Sequence, residues 1–232
     1  MCKPELTAQK LAGMFDHTIL KPDAPLSAFE RTAAECREWG FAMMAVNSAA
    51  VPLCRGLLEG SSTRVGAAVS FPLGQTPLEV KLFETRTAIR EGAGEIDYVT
   101  DLTHVKSGRW DAVRREMESL TDACREGGVT CKVILETCYL TEDEIVRLCT
   151  LAREIRPDFV KTSTGFGTAG ATAEHVRLMK RTVGDAVRVK AAGGIRSLDT
   201  CLAMIDAGAG RIGSSSSVKI MEEFLRREED AR

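Results

Sequence analysis

The sequence predicts a single-domain α/β fold, a (β/α)₈ TIM barrel with its active site at the C-terminal ends of the strands. Three observations carry that expectation. Short β-rich runs recur along the whole 232-residue chain. Each is followed by Gly, Pro, Ser or Asp and then by apolar residues at helical spacing. No linker, composition shift or low-complexity tract interrupts the alternation; Ser214–Ser217 is too short and too near a strand to be a spacer. Strands alternating with helices of about 10 to 15 residues pair in parallel through right-handed crossovers. Eight units of about 29 residues fit a closed barrel at the compact end of its size range, and the competing arrangement is a doubly wound open sheet. One barrel domain over residues 1–232 is expected.

The expected strands are Phe15 to Ile19, Phe41 to Val46, Arg64 to Val69, Glu95 to Thr100, Thr130 to Leu135, Asp158 to Lys161, Ala186 to Lys190 and Gly210 to Gly213. After the fourth, a helix from near Ser107 carries Trp110, Val113, Met117, Leu120 and Cys124 on one face. After the fifth, Thr141-Glu-Asp-Glu144 reads as a capping box and leads into Ile145, Leu148, Cys149 and Ala152. A helix from Thr172 through Val176, Met179 and Val183 follows the sixth strand, and Ser197 caps the next. The last runs from about Ser217 through Ile220 to Phe224, leaving residues 226–232 as a charged, fraying tail.

Composition removes several function classes. With 31 Lys+Arg against 33 Asp+Glu and a pI of about 6.0, there is no basic face to hold a nucleic acid or an anionic membrane. No apolar stretch reaches the roughly 18 residues of a membrane span. Met1 to Gly13 lacks the apolar core of a secretory signal, so a cytoplasmic protein is expected. The eight Cys include no C-x-x-C pair and read as reduced. Three widely separated His exclude H-x-H and H-E-x-x-H ligand pairs, so neither metal nor cofactor is expected.

Chemistry in a barrel sits where strands end. The sixth strand ends in Lys161 and the seventh in Lys190, so neighbouring strands deliver two lysines to one mouth. At a free pKa of about 10.4, only about 4 in 10,000 lysine amines are neutral at pH 7, and equal populations cost about 4.6 kcal/mol. Burial and a neighbouring ammonium can supply that, making a nucleophilic, Schiff-base-forming amine. A lone strand-end lysine commonly pairs with an acid or snorkels to solvent instead. Asp97 alternates in phase with Glu95 and Val99, facing inward, where it offsets a lysine and relays protons or forms a structural ion pair. Asp16, His17 and Thr18 occupy the first strand.

Gly165-Phe-Gly-Thr-Ala-Gly170 matches G-x-G-x-x-G, but Lys190 stands near where a ribose-binding acid belongs, which argues against a dinucleotide. Gly165 to Gly167, Gly193-Gly194 and the Ser214–Ser217 run instead form three loops suited to a phosphate held by backbone N–H groups and hydroxyls.

Blocks spread over nearly the whole chain resemble the deoxyribose-phosphate aldolase family: Asp16-His-Thr-Ile-Leu-Lys-Pro-Asp23, Val69-Ser-Phe-Pro-Leu-Gly74, Glu95-Ile-Asp97, Lys106-Ser-Gly108, Cys131-Lys-Val-Ile-Leu-Glu-Thr137, Lys161-Thr-Ser-Thr-Gly-Phe166, Val189-Lys-Ala-Ala-Gly-Gly-Ile-Arg196 and Arg211-Ile-Gly-Ser-Ser-Ser216. The resemblance implies a metal-independent class I aldolase that reversibly cleaves 2-deoxy-D-ribose 5-phosphate to glyceraldehyde 3-phosphate and acetaldehyde. It implies Lys161 as the Schiff base, Asp97 and Lys190 as a proton relay, and Asp16, Thr164, Gly165, Phe166, Gly193, Gly194, Ser215 and Ser216 as the substrate and phosphate contacts. It also implies a homo-oligomer, dimer or tetramer. The chain departs from the family pattern at Ala45-Val-Asn-Ser48 and Thr100-Asp-Leu-Thr-His104, both at the mouth. A Schiff-base aldolase for another phosphorylated sugar and a non-catalytic phosphate-sensing barrel are the alternatives.

Overall fold

A computed structural model describes residues 6–230. Cys2, the first residues of the stretch read for a leader, and Ala231-Arg232 lie outside the described residues. Eight parallel strands close into a barrel in chain order: β1 (Phe15–Thr18), β2 (Met43–Asn47), β3 (Arg64–Val69), β4 (Glu95–Val99), β5 (Thr130–Ile134), β6 (Phe159–Lys161), β7 (Arg188–Ala192) and β8 (Arg211–Ser214). Closure is made by β1 against β8, with Asp16 opposite Gly213 and His17 opposite Ser214. An open, doubly wound sheet is thereby excluded.

Outside the strands lie α1 (Ala8–Ala12), α2 (Leu26–Trp39), α3 (Val51–Leu57), α4 (Leu78–Arg90), α5 (Leu102–Lys106), α6 (Trp110–Glu126), α7 (Glu142–Ile155), α8 (Ala173–Val183), α9 (Leu198–Asp206) and α10 (Ser217–Asp230). The capping box at Thr141 and Glu144 is formed, and Thr172 and Ser197 cap α8 and α9 with their hydroxyls. Two elements differ from expectation. The helix expected from Ser107 is split: Asp101 caps the short α5, a turn follows, and α6 begins only at Trp110. The expected tail is helical through Asp230, because Arg227 bridges Asp199 and Glu223 at 2.6 Å each and Glu223 accepts the Leu198 N–H, tying α10 to α9.

Strand alternation sorts the interior into two compartments. Outward-pointing Phe15, Met44, Val46, Val65, Ala67, Val69, Ile96, Tyr98, Val133, Val160, Val189 and Ile212 pack with the helices as the hydrophobic core. The opposite parity puts Asp16, Glu95, Asp97, Lys132, Lys161, Lys190 and Arg211 into the lumen, all in mutual ion pairs. The seven described cysteines are free thiols, six of them buried. No helix among the described residues is long and apolar enough to cross a membrane.

One buried pair outside the lumen secures the end of β4. Lys81 Nζ on α4 donates to the Val99 carbonyl at 2.8 Å and to Glu116 Oε2 on α6 at 2.7 Å, while Glu116 Oε1 accepts the Asp101 N–H at 3.1 Å. Removing one member of such a pair strands the other charge. Lys81→Met is expected to lower unfolding free energy by about 3–5 kcal/mol in urea titration, and the double variant K81M/E116L to lose less.

Candidate active site

The lumen network centres on Asp97. Its Oδ1 accepts from Lys132 Nζ at 2.6 Å, and its Oδ2 accepts from both Lys161 Nζ at 2.8 Å and Lys190 Nζ at 2.7 Å. Lys132 also meets Glu95 at 2.5 Å. Lys190 reaches Asp16, whose other oxygen accepts from Arg211 at 2.6 Å. Strand register dictates this meeting. Asp97 is opposite Lys132 across β4 and β5, and Lys161 is opposite Lys190 across β6 and β7.

Electrostatics differ sharply among these groups. Burial raises the pKa of Asp97, but Lys132, Lys161 and Lys190 together outweigh burial and hold it well below the usual carboxylate range. Asp16 is lowered likewise, with Lys190, Lys132 and Arg211 overcoming desolvation. Burial pushes the Lys132 ammonium down, but Asp97, Asp16 and Glu95 outweigh it, so that its pKa rises. Lys161 goes the other way: burial, with repulsion from Lys190 and Lys132, exceeds the attraction of Asp97 and brings it down to about 8.

Above the network a cavity of about 740 Å³ opens at the strand ends. Of the three lumen lysines, only Lys161 lines it. Thr164, Gly165, Phe166, Gly193, Gly194 and Ser215 line it as well, so the three loops singled out in the sequence converge on one space. The β6–α8 and β7–α9 loops are interlocked: Ala171 N–H donates to the carbonyls of Ala192 and Gly193, and a Cβ on Gly170 would fall 2.1 Å from the Gly193 oxygen. Gly165 at φ 90° and Gly193 at φ 88° hold backbone shapes that side chains rarely adopt.

Other expected contacts lie elsewhere. Asp16, Asp97 and Lys190 are buried in the lumen and do not line the cavity. Ser216 does not line it either; its N–H donates to Ser214 Oγ at 2.9 Å. Thr164 has its hydroxyl and N–H engaged by Glu136, which adopts a left-handed backbone (φ 54°, ψ 62°) just after β5. The Thr164 hydroxyl in turn accepts the Phe166 N–H at 3.0 Å. Burial raises the Glu136 pKa, against the Thr164 hydrogen bonds and the pull of Lys161.

Lys132, Arg211 and Glu136 received no role from the residues themselves. A signal for the first existed: Lys132 interrupts an apolar strand at inward parity. Nothing local marks Glu136, whose partner is 28 residues further on.

Taken together, a low-pKa amine opening onto a cavity, an ionised carboxylate against it and a ring of glycine and serine loops form a site able to bond covalently to a carbonyl and hold an anion. Comparison with known proteins agrees. The family model described as DeoC/LacD family aldolase matches residues 11–222. A protein of Bacteroides thetaiotaomicron named deoxyribose-phosphate aldolase is 54% identical over 219 residues, covering 94% of this chain and 92% of that one. One of the same name from Lactobacillus acidophilus is 48% identical over 224 residues, covering 97% and 94%. A solved structure described as the unique tetrameric structure of deoxyribose phosphate aldolase from Aeropyrum pernix superposes with a TM-score of 0.88 at 33% identity, covering 94% of this chain and 92% of that one. The chain belongs to the DeoC/LacD family of aldolases.

Proposed function

We propose that this chain is a metal-independent class I aldolase that reversibly cleaves 2-deoxy-D-ribose 5-phosphate to D-glyceraldehyde 3-phosphate and acetaldehyde, working in the cytoplasm as a homo-oligomer. The observation that carries the reading is the position of Lys161. It alone among the three lumen lysines reaches the cavity, and its pKa is brought down to about 8 where that of Lys132 is raised. With a pKa of about 8, about a tenth of its amine is neutral at pH 7, some two hundred times the fraction for a free lysine.

The neutral Lys161 amine adds to the aldehyde carbon of the open-chain sugar, and loss of water leaves an iminium. The proton on the C3 hydroxyl then departs, the C2–C3 bond breaks, and its electron pair moves into the iminium to give an enamine and glyceraldehyde 3-phosphate. Protonation at C2 and hydrolysis release acetaldehyde and return the amine. Asp97 Oδ2, shared by Lys161 and Lys190, offers a route for protons between the amine and the lumen. The phosphate rests against Gly165, Phe166, Gly193, Gly194 and Ser215, fixing the distance from anchor to amine. Exposed Leu73, Val80 and Phe83 support a subunit interface.

Three outcomes test this. Borohydride added with acetaldehyde should trap an adduct that peptide mapping locates on Lys161, and Lys161→Ala should abolish both adduct and turnover. No adduct with intact phosphate binding would favour the sensor, whereas an adduct with turnover only of other phosphosugars would favour the alternative aldolase. Adduct formation should rise with pH and reach half its plateau near pH 8, because the ammonium form present below that value cannot attack; Asp97→Asn should move the midpoint lower by removing the charge that retains the proton. Turnover should be unchanged by a chelator, and loss restored by a divalent metal would overturn metal independence.

A further inference from the structure

Glu136 is a buried carboxylate, bonded to the cavity-lining Thr164, that the aldol chemistry leaves without a task. It is 3% exposed and sits in a left-handed conformation that is uncommon for a residue bearing a Cβ. Both its oxygens face donors of the β6–α8 loop: the Thr164 N–H lies 3.2 Å from Oε1 and 3.3 Å from Oε2, and the Thr164 hydroxyl donates to Oε2. The contact continues along the loop. Thr164 Oγ accepts the Phe166 N–H, and a Cβ on Gly167 would fall 3.3 Å from the Glu136 carboxyl carbon and 2.7 Å from the sulfur of Cys138. On its far side the same loop rests on the β7–α9 loop, where a Cβ on Gly193 would meet the Cα of Gly165 at 3.3 Å and that of Gly170 at 3.0 Å.

A carboxylate is a poor neighbour for a phosphate dianion, so its presence here calls for a reason. Its lone pairs are directed at loop donors, and the loop thereby turns its other groups toward the cavity. Resting on the phosphosugar reading above, we infer that Glu136 is a positioning residue: acting through Thr164, it holds the β6–α8 loop in the shape that receives the phosphate, and so sets the preference for phosphorylated over unphosphorylated substrate.

The test compares kcat/KM for 2-deoxyribose 5-phosphate with kcat/KM for 2-deoxyribose, in wild type, Glu136→Gln, Thr164→Val and the double variant. The Gln side chain keeps the volume but presents an amide N–H₂ where one oxygen had accepted, so one loop donor loses its partner. The ratio of the two specificity constants should fall on the order of tenfold in E136Q, mainly through KM for the phosphorylated substrate. T164V should lower it by a similar factor, and the double variant no further, since the two act as one unit. Where E136Q fails to fold, T164V alone carries the test. An equal loss on both substrates, or an unmoved ratio with active wild type, overturns the inference alone. Absence of wild-type turnover and of borohydride trapping at Lys161 overturns the functional reading and this inference with it.

Discussion

Asp97 accepts hydrogen bonds from three ammonium groups within 2.8 Å, in a lumen closed to water. Everything distinctive about the barrel depends on how that crowding is resolved. Three carboxylates, Asp16, Glu95 and Asp97, face four cations, Lys132, Lys161, Lys190 and Arg211. With all seven ionised the lumen carries one positive charge too many. Among the described residues Lys161 has only Asp97 as a carboxylate partner and shares it with Lys132 and Lys190, so burial and the repulsion of those two ammonium groups bring its pKa down to about 8. A reactive amine is thus the product of one carboxylate shared among three lysines, and the strand register sets that sharing.

The helices are consistent with that arrangement because the two faces of each strand serve different masters. Outward residues supply the apolar packing that stabilises the molecule, about 25 cal/mol for each Å² buried, while inward residues supply the chemistry. A buried ion-pair network adds little net stability over an apolar filling of the same volume. The hydrophobic shell between strands and helices bears the load.

Much of this was written locally in the chain. Lys161 and Lys190 end apolar runs, Asp97 alternates with Glu95, and the glycine loops follow the strands they serve; each is a short-range pattern. Strand ends were displaced by a residue or two, as for β7, which continues past Lys190 to Ala192. Local charge misled at 226–232, since whether Arg227 frays depends on Asp199 across the helix interface. α5 needed only its cap, Asp101, to be recognised. Long-range partnerships were beyond reach: Asp16 and Arg211 are 195 residues apart and meet only because the barrel closes. Glu136 follows an apolar strand as a loop acid would; apart from the Cys138 thiol two residues on, its partner is Thr164, brought to it by the path of the next strand's loop.

The interlocking of the loops after β6 and β7 has an evolutionary consequence. Gly170 and Gly193 touch backbone to backbone, so neither can acquire a side chain unless the other loop moves away. Two segments that must mutate in concert diversify slowly. Divergence is freer at positions of the mouth that lack such a backbone contact, and descendants of this barrel would be expected to change what they join to the anchored end while keeping the anchor itself.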